Sequence, residues 1–493
     1  MEPKKLERLL KDQGIKGSPY KFLLGDLRDN ARLMREAISR PIPLTHDIVP
    51  RVFPVFHQLV KTHGKMCVTW FGPIPQVTIM DPVLVREILS NKFGHFAKAK
   101  NNPLVLLLAS GLVSYDGEKW AKHRRIINPA FHQEKLKLMM PAFSTSCVEL
   151  INRWNKLVDS SGEKHCELDV WPEIQNLTGD VISRTAFGSS YEEGRQIFQL
   201  QRELAQLIVE IIRFTIIPGY RFLPTIRNIR MRKIAKEIRK ILGDLISKRI
   251  KAMKMGDVHN EDLLGILIES NFKLDQQKEN SISLAMTVED VIEECKLFYF
   301  AGQETTASLL TWTIILLSIH SDWQARAQQE VKQVFGDNKP DYDGLHNLKI
   351  VTMILYEVLR LYPPFSFLVR RTYKEIKLGK ITFPPEVQLA IPILLIHHDP
   401  EYWGDDANEF KPERFSEGIA KASRNHIAFY PFGGGPRICI GQSFALIEAK
   451  LALAMILQNF SFDLSPTYSH APRSVISLQP QYGAQILLRR LLL

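Results

Sequence analysis

Four groups of residues in this sequence have types and spacing that could do chemistry. The first is a single cysteine, Cys439, which follows a loop rich in glycine and proline and precedes an apolar-periodic stretch at residues 442–460. A thiol at a helix entrance meets unpaired N–H groups and the positive end of the helix dipole, which favour the thiolate, the form that binds metal. The glycines let backbone pass close to itself or to a flat ligand. Arg437 adds a cation that could pair with an acidic group on the same ligand. The second group is Ala301-Gly302-Gln303-Glu304-Thr305-Thr306, an acid beside hydroxyls inside an otherwise apolar helical run. Such groups are costly there unless paired or used, although a threonine can also bond back to a carbonyl one turn earlier and bend the helix. The third is Trp120 and Arg124, four apart and so on one helix face. The fourth is Glu357 and Arg360, three apart; on a surface such a pair would contribute little. Taken alone, a cysteine after a Gly-rich turn is ordinarily inert and buried.

The elements that must hold these groups are legible in part. Thr287 can cap a helix with Glu289 and Asp290 in its first turn, running to about His320. Its second half is apolar on nearly every face, so a central buried helix is expected. Residues 345–362 read as a helix stopped by Pro363-Pro364. Residues 66–71 and 77–80 read as strands around Gly72-Pro73, flanked by helices at 48–63 and 82–90. Helices are also expected at 143–159, 174–186 and 191–213. Pro218, Gly219 and Pro224 then break the chain before a basic helix at 226–255. Residues 91–114 are loop-like with an apolar run at 104–109, and 273–283 a solvent loop. Residues 376–394 alternate like strands, with turns at Gly379 and Pro384-Pro385. Residues 465–488 read as a closing hairpin. His397-His398-Asp399 invites a metal reading, but its spacing gives no tetrahedral set.

With 45% apolar residues in 493, the chain can bury a sizeable core. Lys plus Arg number 64 against 53 Asp plus Glu, a net charge of +11. The excess is spread out, without an aromatic-interleaved basic tract, which argues for an anionic surface or partner and against nucleic acid. Five scattered cysteines without CxxC spacing fit a reducing compartment, and argue against a disulfide scaffold and a zinc site. Residues 2–16 are polar, with no run of about 20 apolar residues. No internal repeat is visible.

The spacing Phe432-x-x-Gly435-x-Arg437-x-Cys439-x-Gly441 resembles the haem-binding loop of the cytochrome P450 family. The other groups match that family's WxxxR, AGxxT and ExxR motifs, in its order, from about residue 20 onward. The resemblance implies one mainly α domain with small β-sheets, an α+β cytochrome P450 fold. Haem b would lie between the long central helix and the cysteine loop. It makes Cys439 the axial thiolate and iron ligand. Pro431, Phe432 and Gly441 would shape that loop, and Trp120, Arg124, Arg437 and Arg371, with Arg370 the alternative, would hold haem propionates. Ala301 would border the oxygen groove, and Glu304 and Thr305 would relay protons to it. Glu357 and Arg360 would join Arg414 of Pro412-Glu413-Arg414-Phe415 in a buried triad supporting the loop. Leu104, Phe300, Phe365, Leu368 and Leu478 would line the substrate pocket.

The implied activity is monooxygenation with NADPH electrons from a flavoprotein reductase, whose acidic surface the basic chain would suit. The expected site is the cytosolic face of the endoplasmic reticulum membrane, with the segment around residues 211–226 touching the bilayer and the protein a monomer. Residues 1–20 are expected as a residual N-terminal linker from which the anchor is absent, and 21–493 as a single catalytic domain. Residues 431–437, 442–460 and 477–484 are similar to the plant seventy-two clan, whose members oxidise iridoid glucosides, pentacyclic triterpenes and gibberellins. Two other classes are weighed: a haem-thiolate isomerase or dehydratase, which the intact Glu304-Thr305 pair disfavours, and a non-catalytic haem-binding protein.

Overall fold

Helices carry most of the described residues, which also form one six-stranded sheet and three smaller ones. The computed structural model describes residues 2–91, 94–100, 102–162, 165–188, 191–256, 262–276, 286–424 and 427–491. Of the expected solvent loop at 273–283, residues 273–276 end the Leu263–Gln276 helix and the rest lie outside the described residues. Contacts divide the chain into two compact units. The first comprises Met1–Lys100, Thr352–Cys439 and Pro466–Ala484; the second comprises Asn101–Val351, Ile440–Ser465 and Gln485–Leu493.

The first unit is built on a six-stranded sheet. Its strand order is Lys16–Gly17, Met66–Phe71, Ile74–Ile79, Gln388–Ile391, Leu368–Thr372 and Phe96–Lys98. The first pair and the Ile74–Ile79 with Gln388–Ile391 pair are parallel and the rest antiparallel. Residues 2–20 carry structure of their own. The Pro3–Asp12 helix buries Leu6 and Leu10, and Lys16–Gly17 joins the sheet. Apolar burial by two leucines outweighs the charge of their neighbours, because the polar residues of an amphipathic turn face water. Asp81 caps the Pro82–Ser90 helix by accepting from the Val83 and Leu84 N–H groups.

In the second unit the Val288–Ile319 helix is buried along most of its length. It starts with a capping box between Thr287 and Asp290. The Val170–Phe187 helix lies along it. Thr178 Oγ1 donates to the Gln303 carbonyl at 3.0 Å, Gln303 Nε2 donates back to the Gln175 carbonyl at 3.0 Å, and Phe187 stacks on Tyr299. The Ile226–Met255 helix keeps the expected ends, with Thr225 as N-cap and Gly256 at φ +79° as the left-handed C-cap. The expected hairpin at 465–488 resolves differently. Residues Pro472–Ser474 and Leu478–Pro480 pair in the first unit, while Gln485–Arg490 runs between Phe460–Leu464 and Cys166–Asp169 in the second.

Candidate active site

Cys439 ends a loop of the first unit. Its N–H donates to the Phe432 carbonyl at 2.9 Å, closing the turn on itself. Gly433 and Gly435 sit at φ +72° and +65°. A Cβ on Gly435 would lie 2.1 Å from the Leu89 carbonyl oxygen, so only glycine lets the loop press on the end of the Pro82–Ser90 helix.

The loop is hung from a charged framework whose centre is fully buried. Glu357 and Arg360 are both 0% exposed. Arg360 donates through Nε and Nη2 to the two Glu357 oxygens at 2.7 Å each, and through Nη1 to the His397 and Ala407 carbonyls at 2.8 and 2.6 Å. Arg414 Nε reaches Glu357 at 3.4 Å, and its Nη1 meets Asp406 Oδ1 at 2.8 Å. Burial pushes Asp406 up, but hydrogen bonds from Arg414 and Lys411 outweigh it and hold the acid down to about 2. Burial, then the charge of Arg360, lowers His397 to about 3, so its ring is neutral. Its Nδ1 faces the Arg360 carbonyl at 3.2 Å, which makes Nδ1 the donor and leaves Nε2 to accept the Tyr430 N–H at 2.9 Å. Tyr430 opens the cysteine loop, so His397 ties the triad to that loop. Sequence reading weighed this histidine only as a metal ligand. Among the described residues no group of three or more His, Cys, Asp or Glu could hold a metal ion.

In the second unit the long helix has an opening in its burial at Phe300, Ala301, Gly302 and Thr305, flanked by buried Gln303, Glu304 and Thr306. Thr305 Oγ1 donates to the Ala301 carbonyl at 2.7 Å, the back-bond that its position in a helix allows. The hydroxyl oxygen keeps acceptor capacity on the open face. Trp120 and Arg124 are half-buried on the Gly117–Ile127 helix. That helix is fixed to the long one by His123, whose Nδ1 lies 2.6 Å from Glu294 Oε1, both buried; the Leu112 N–H donates to the other oxygen at 3.2 Å. Burial raises Glu294, against the His123 and Leu112 hydrogen bonds.

The sequence profile of the cytochrome P450 family matches residues 48–487. The chain belongs to the cytochrome P450 family. Cytochrome P450 CYP72A616 of Paris polyphylla is 64% identical over 490 residues, 99% of this chain and 94% of that protein. Cytochrome P450 72A13 of Arabidopsis thaliana is 56% identical over 491 residues, and cytochrome P450 72A397 of Kalopanax septemlobus 54% over 493; each match covers 100% of this chain and 94% of the relative. As a cytochrome P450 the protein is a monooxygenase. It binds haem through a cysteine thiolate and receives NADPH electrons from a reductase.

The thiols present fit that cofactor in one place. Cys67, Cys147 and Cys295 are buried and Cys166 is half-buried, whereas Cys439 is exposed on its glycine loop. Burial pushes Cys67 up to about 11 and raises Cys147, Cys295 and Cys166 as well, which keeps them protonated. The strand Leu368–Thr372 separates the two candidate propionate arginines. Arg371 pairs with Glu386, and Arg370, 5% exposed, points to the other face. Adjacent residues of a strand face opposite ways, so Arg371, held by Glu386, and Arg370 cannot serve the same ligand from one face. Of the expected pocket residues, Leu104 and Leu478 are buried, Phe300 and Leu368 half-buried and Phe365 exposed. The Leu478 N–H donates to the Pro364 carbonyl at 3.0 Å, which places the Leu478–Pro480 strand beside Phe365.

Gly302 has a role that a small-residue groove does not suggest. A Cβ there would sit 2.6 Å from Ile182 Cγ1, so the missing side chain lets the Val170–Phe187 helix approach. Gly302→Val is expected to destabilise the protein by about 1–3 kcal/mol through overpacking. Thermal unfolding checks this, and an unchanged melting temperature removes the packing role.

Proposed function

We propose that this cytochrome P450 oxidises a C–H bond of a terpenoid, with Cys439 as the thiolate ligand and Glu304 and Thr305 delivering protons on the substrate side. The observation that carries the reading is the break in burial at Phe300, Ala301, Gly302 and Thr305, midway along a helix that is buried over most of its length. The bound haem supplies the hard chemistry, activating dioxygen and placing one oxygen atom in the substrate. The chain's own residues do the rest. We assign haem propionates to Arg370, Trp120, Arg124 and Arg437, and the shape of the cysteine loop to Pro431, Phe432 and Gly441. The Thr305 hydroxyl, anchored on the Ala301 carbonyl, holds one proton acceptor at a fixed place, and Glu304 next to it can exchange the proton. The apolar side chains of Leu104, Phe300, Phe365, Leu368 and Leu478 suit a hydrophobic skeleton.

Attachment to the endoplasmic reticulum membrane belongs to the same proposal. Phe222 is 68% and Ile226 89% exposed, with Leu223 and Ile229 also exposed, beside Arg221, Arg227 and Arg232. Apolar tips with flanking cations suit an anionic bilayer surface. Among the described residues no helix is long and apolar enough to cross a membrane.

The test is a terpenoid panel incubated with haem-loaded enzyme, reductase and NADPH. A substrate-induced spectral shift with NADPH-dependent oxygenated product is expected. Turnover with no need for NADPH or O2 sinks the proposal in favour of an isomerase or dehydratase. In Thr305→Ala, product formation is expected to fall roughly a hundredfold while NADPH consumption falls far less; full coupling removes Thr305 from proton delivery.

A further inference from the structure

We propose that His123 and Glu294 are positioning residues for the haem. The pair turns the Gly117–Ile127 helix so that Trp120 and Arg124 face a propionate, and so sets how firmly the haem is kept and at what potential its iron is reduced. The inference rests on the reading that Trp120 and Arg124 hold a propionate. His123 and Glu294 are closed off by protein, at 1% and 0% exposure, so they act through the helix and not on the cofactor.

The helix has little else to fix it. Of its 11 residues only His123 and Ile127 are buried, and Ile127 is the last. Apolar burial therefore anchors one end and leaves the rotation about the axis undecided. Two polar rungs decide it. Lys119 and His123 are four apart on this helix, and Asp290 and Glu294 are four apart on the Val288–Ile319 helix. Lys119 Nζ lies 2.8 Å from Asp290 Oδ1; His123 Nδ1 lies 2.6 Å from Glu294 Oε1, with its Nε2 3.8 Å from Asp290. Rungs of equal spacing on both helices fix register as well as rotation. The lysine rung is exposed and contributes little. The histidine rung is buried, where an orphaned partner costs most. Seen down the axis, His123 lies about 60° from Trp120 and about 100° from Arg124. Placing His123 therefore places the face that carries both.

Glu294 is held in its turn by the residues at 111–113. The Leu112 N–H donates to Oε2 at 3.2 Å. Gly111, at φ +68°, packs so closely that a Cβ would lie 2.7 Å from that oxygen. Tyr115 closes another side, its ring edge-on to His123 at 4.9 Å between centroids and 4.1 Å from Lys119 Nζ. Three segments thus converge on one carboxylate, a supporting layer behind the side chains assigned to the cofactor.

The experiment follows haem transfer from the loaded full chain to apomyoglobin, with the midpoint potential of the iron and the melting temperature measured beside it. His123→Leu should release haem roughly tenfold to a hundredfold faster. Its potential should fall, because a propionate freed from its cation stabilises the ferric state. His123→Asn, whose amide can donate near the Nδ1 position, should keep most of the parent's grip and potential. Leu242→Ala, at a buried position of the Ile226–Met255 helix, should lower the melting temperature and leave haem release unchanged. If His123→Leu does not fold, Gly111→Ala decides the matter, since it presses on Glu294 and removes no polar partner; the same two changes are expected, smaller. A lowered melting temperature with parental haem release and potential in His123→Leu, or in Gly111→Ala where that variant decides, overturns the inference, and so does an Asn variant as leaky as the Leu variant. Parental haem release in Arg124→Gln overturns the propionate reading and this inference with it. Faster release in Arg124→Gln beside parental release in His123→Leu overturns this inference alone.

Discussion

Cys439→Ser is expected to yield a folded protein without the thiolate-type Soret band in its reduced, carbon monoxide-bound spectrum, and with turnover at background. The thiol is exposed at the end of a loop closed by its own N–H on Phe432. Serine preserves that backbone bond and nearly the same volume, so the first unit has no reason to unfold. It removes the one soft anion that the loop presents, and with it the electron donation that distinguishes a thiolate ligand. No other thiol can take over. Cys67, Cys147 and Cys295 are buried, and their raised pKa values hold the proton on sulfur. A melting temperature close to that of the parent, with the band lost, is the expected pair of results. An unchanged band refutes the ligand assignment.

What the sequence made legible is what neighbouring residues decide. Thr287 with Asp290, Asp81 before Pro82, and Thr225 with Gly256 each fix a helix end through atoms within a few residues, and those ends fall where the pattern puts them. What it hid depends on partners far along the chain. The continuous helix expected at 345–362 is two helices, Tyr342–Asn347 and Lys349–Leu361. The break is made by Glu330, whose carboxylate accepts from the Lys349, Ile350 and Val351 N–H groups at 2.7, 2.7 and 2.9 Å. A carboxylate borrowed from another helix can start a new one, and no local signal announces it. The Cys166–Asp169 strand exists because the chain's last strand pairs with it. His397 carries its meaning in a bond to Tyr430, and Gly302 in the approach of Ile182. Arg370 and Arg371 show the limit most sharply. The family resemblance makes both candidates for a propionate, but only the strand's phase within its sheet says which one turns toward Glu386.

The same long-range logic predicts that Glu357→Gln will cost about 3–5 kcal/mol, a large share of the ~5–15 kcal/mol that holds a typical fold. The carboxylate accepts two bonds from Arg360, one from Arg414 and one from the Lys411 N–H at 2.9 Å. Glutamine replaces one accepting oxygen by an NH2 group that faces donors, and leaves the Arg360 charge fully buried without its counter-ion. Arg360 cannot respond by releasing a proton. Its remaining bonds run to the His397, Ala407 and Glu409 carbonyls, so a shift there reaches the Tyr430 N–H through His397 and loosens the cysteine loop. The expected result is a much lower melting temperature together with less haem per polypeptide. Glu413→Gln is the matched control. It changes the same charge one residue from Arg414, but on an exposed side chain, and should stay within about 0.5 kcal/mol. If Glu357→Gln melts with the parent and retains its full haem, the buried triad does not support the loop.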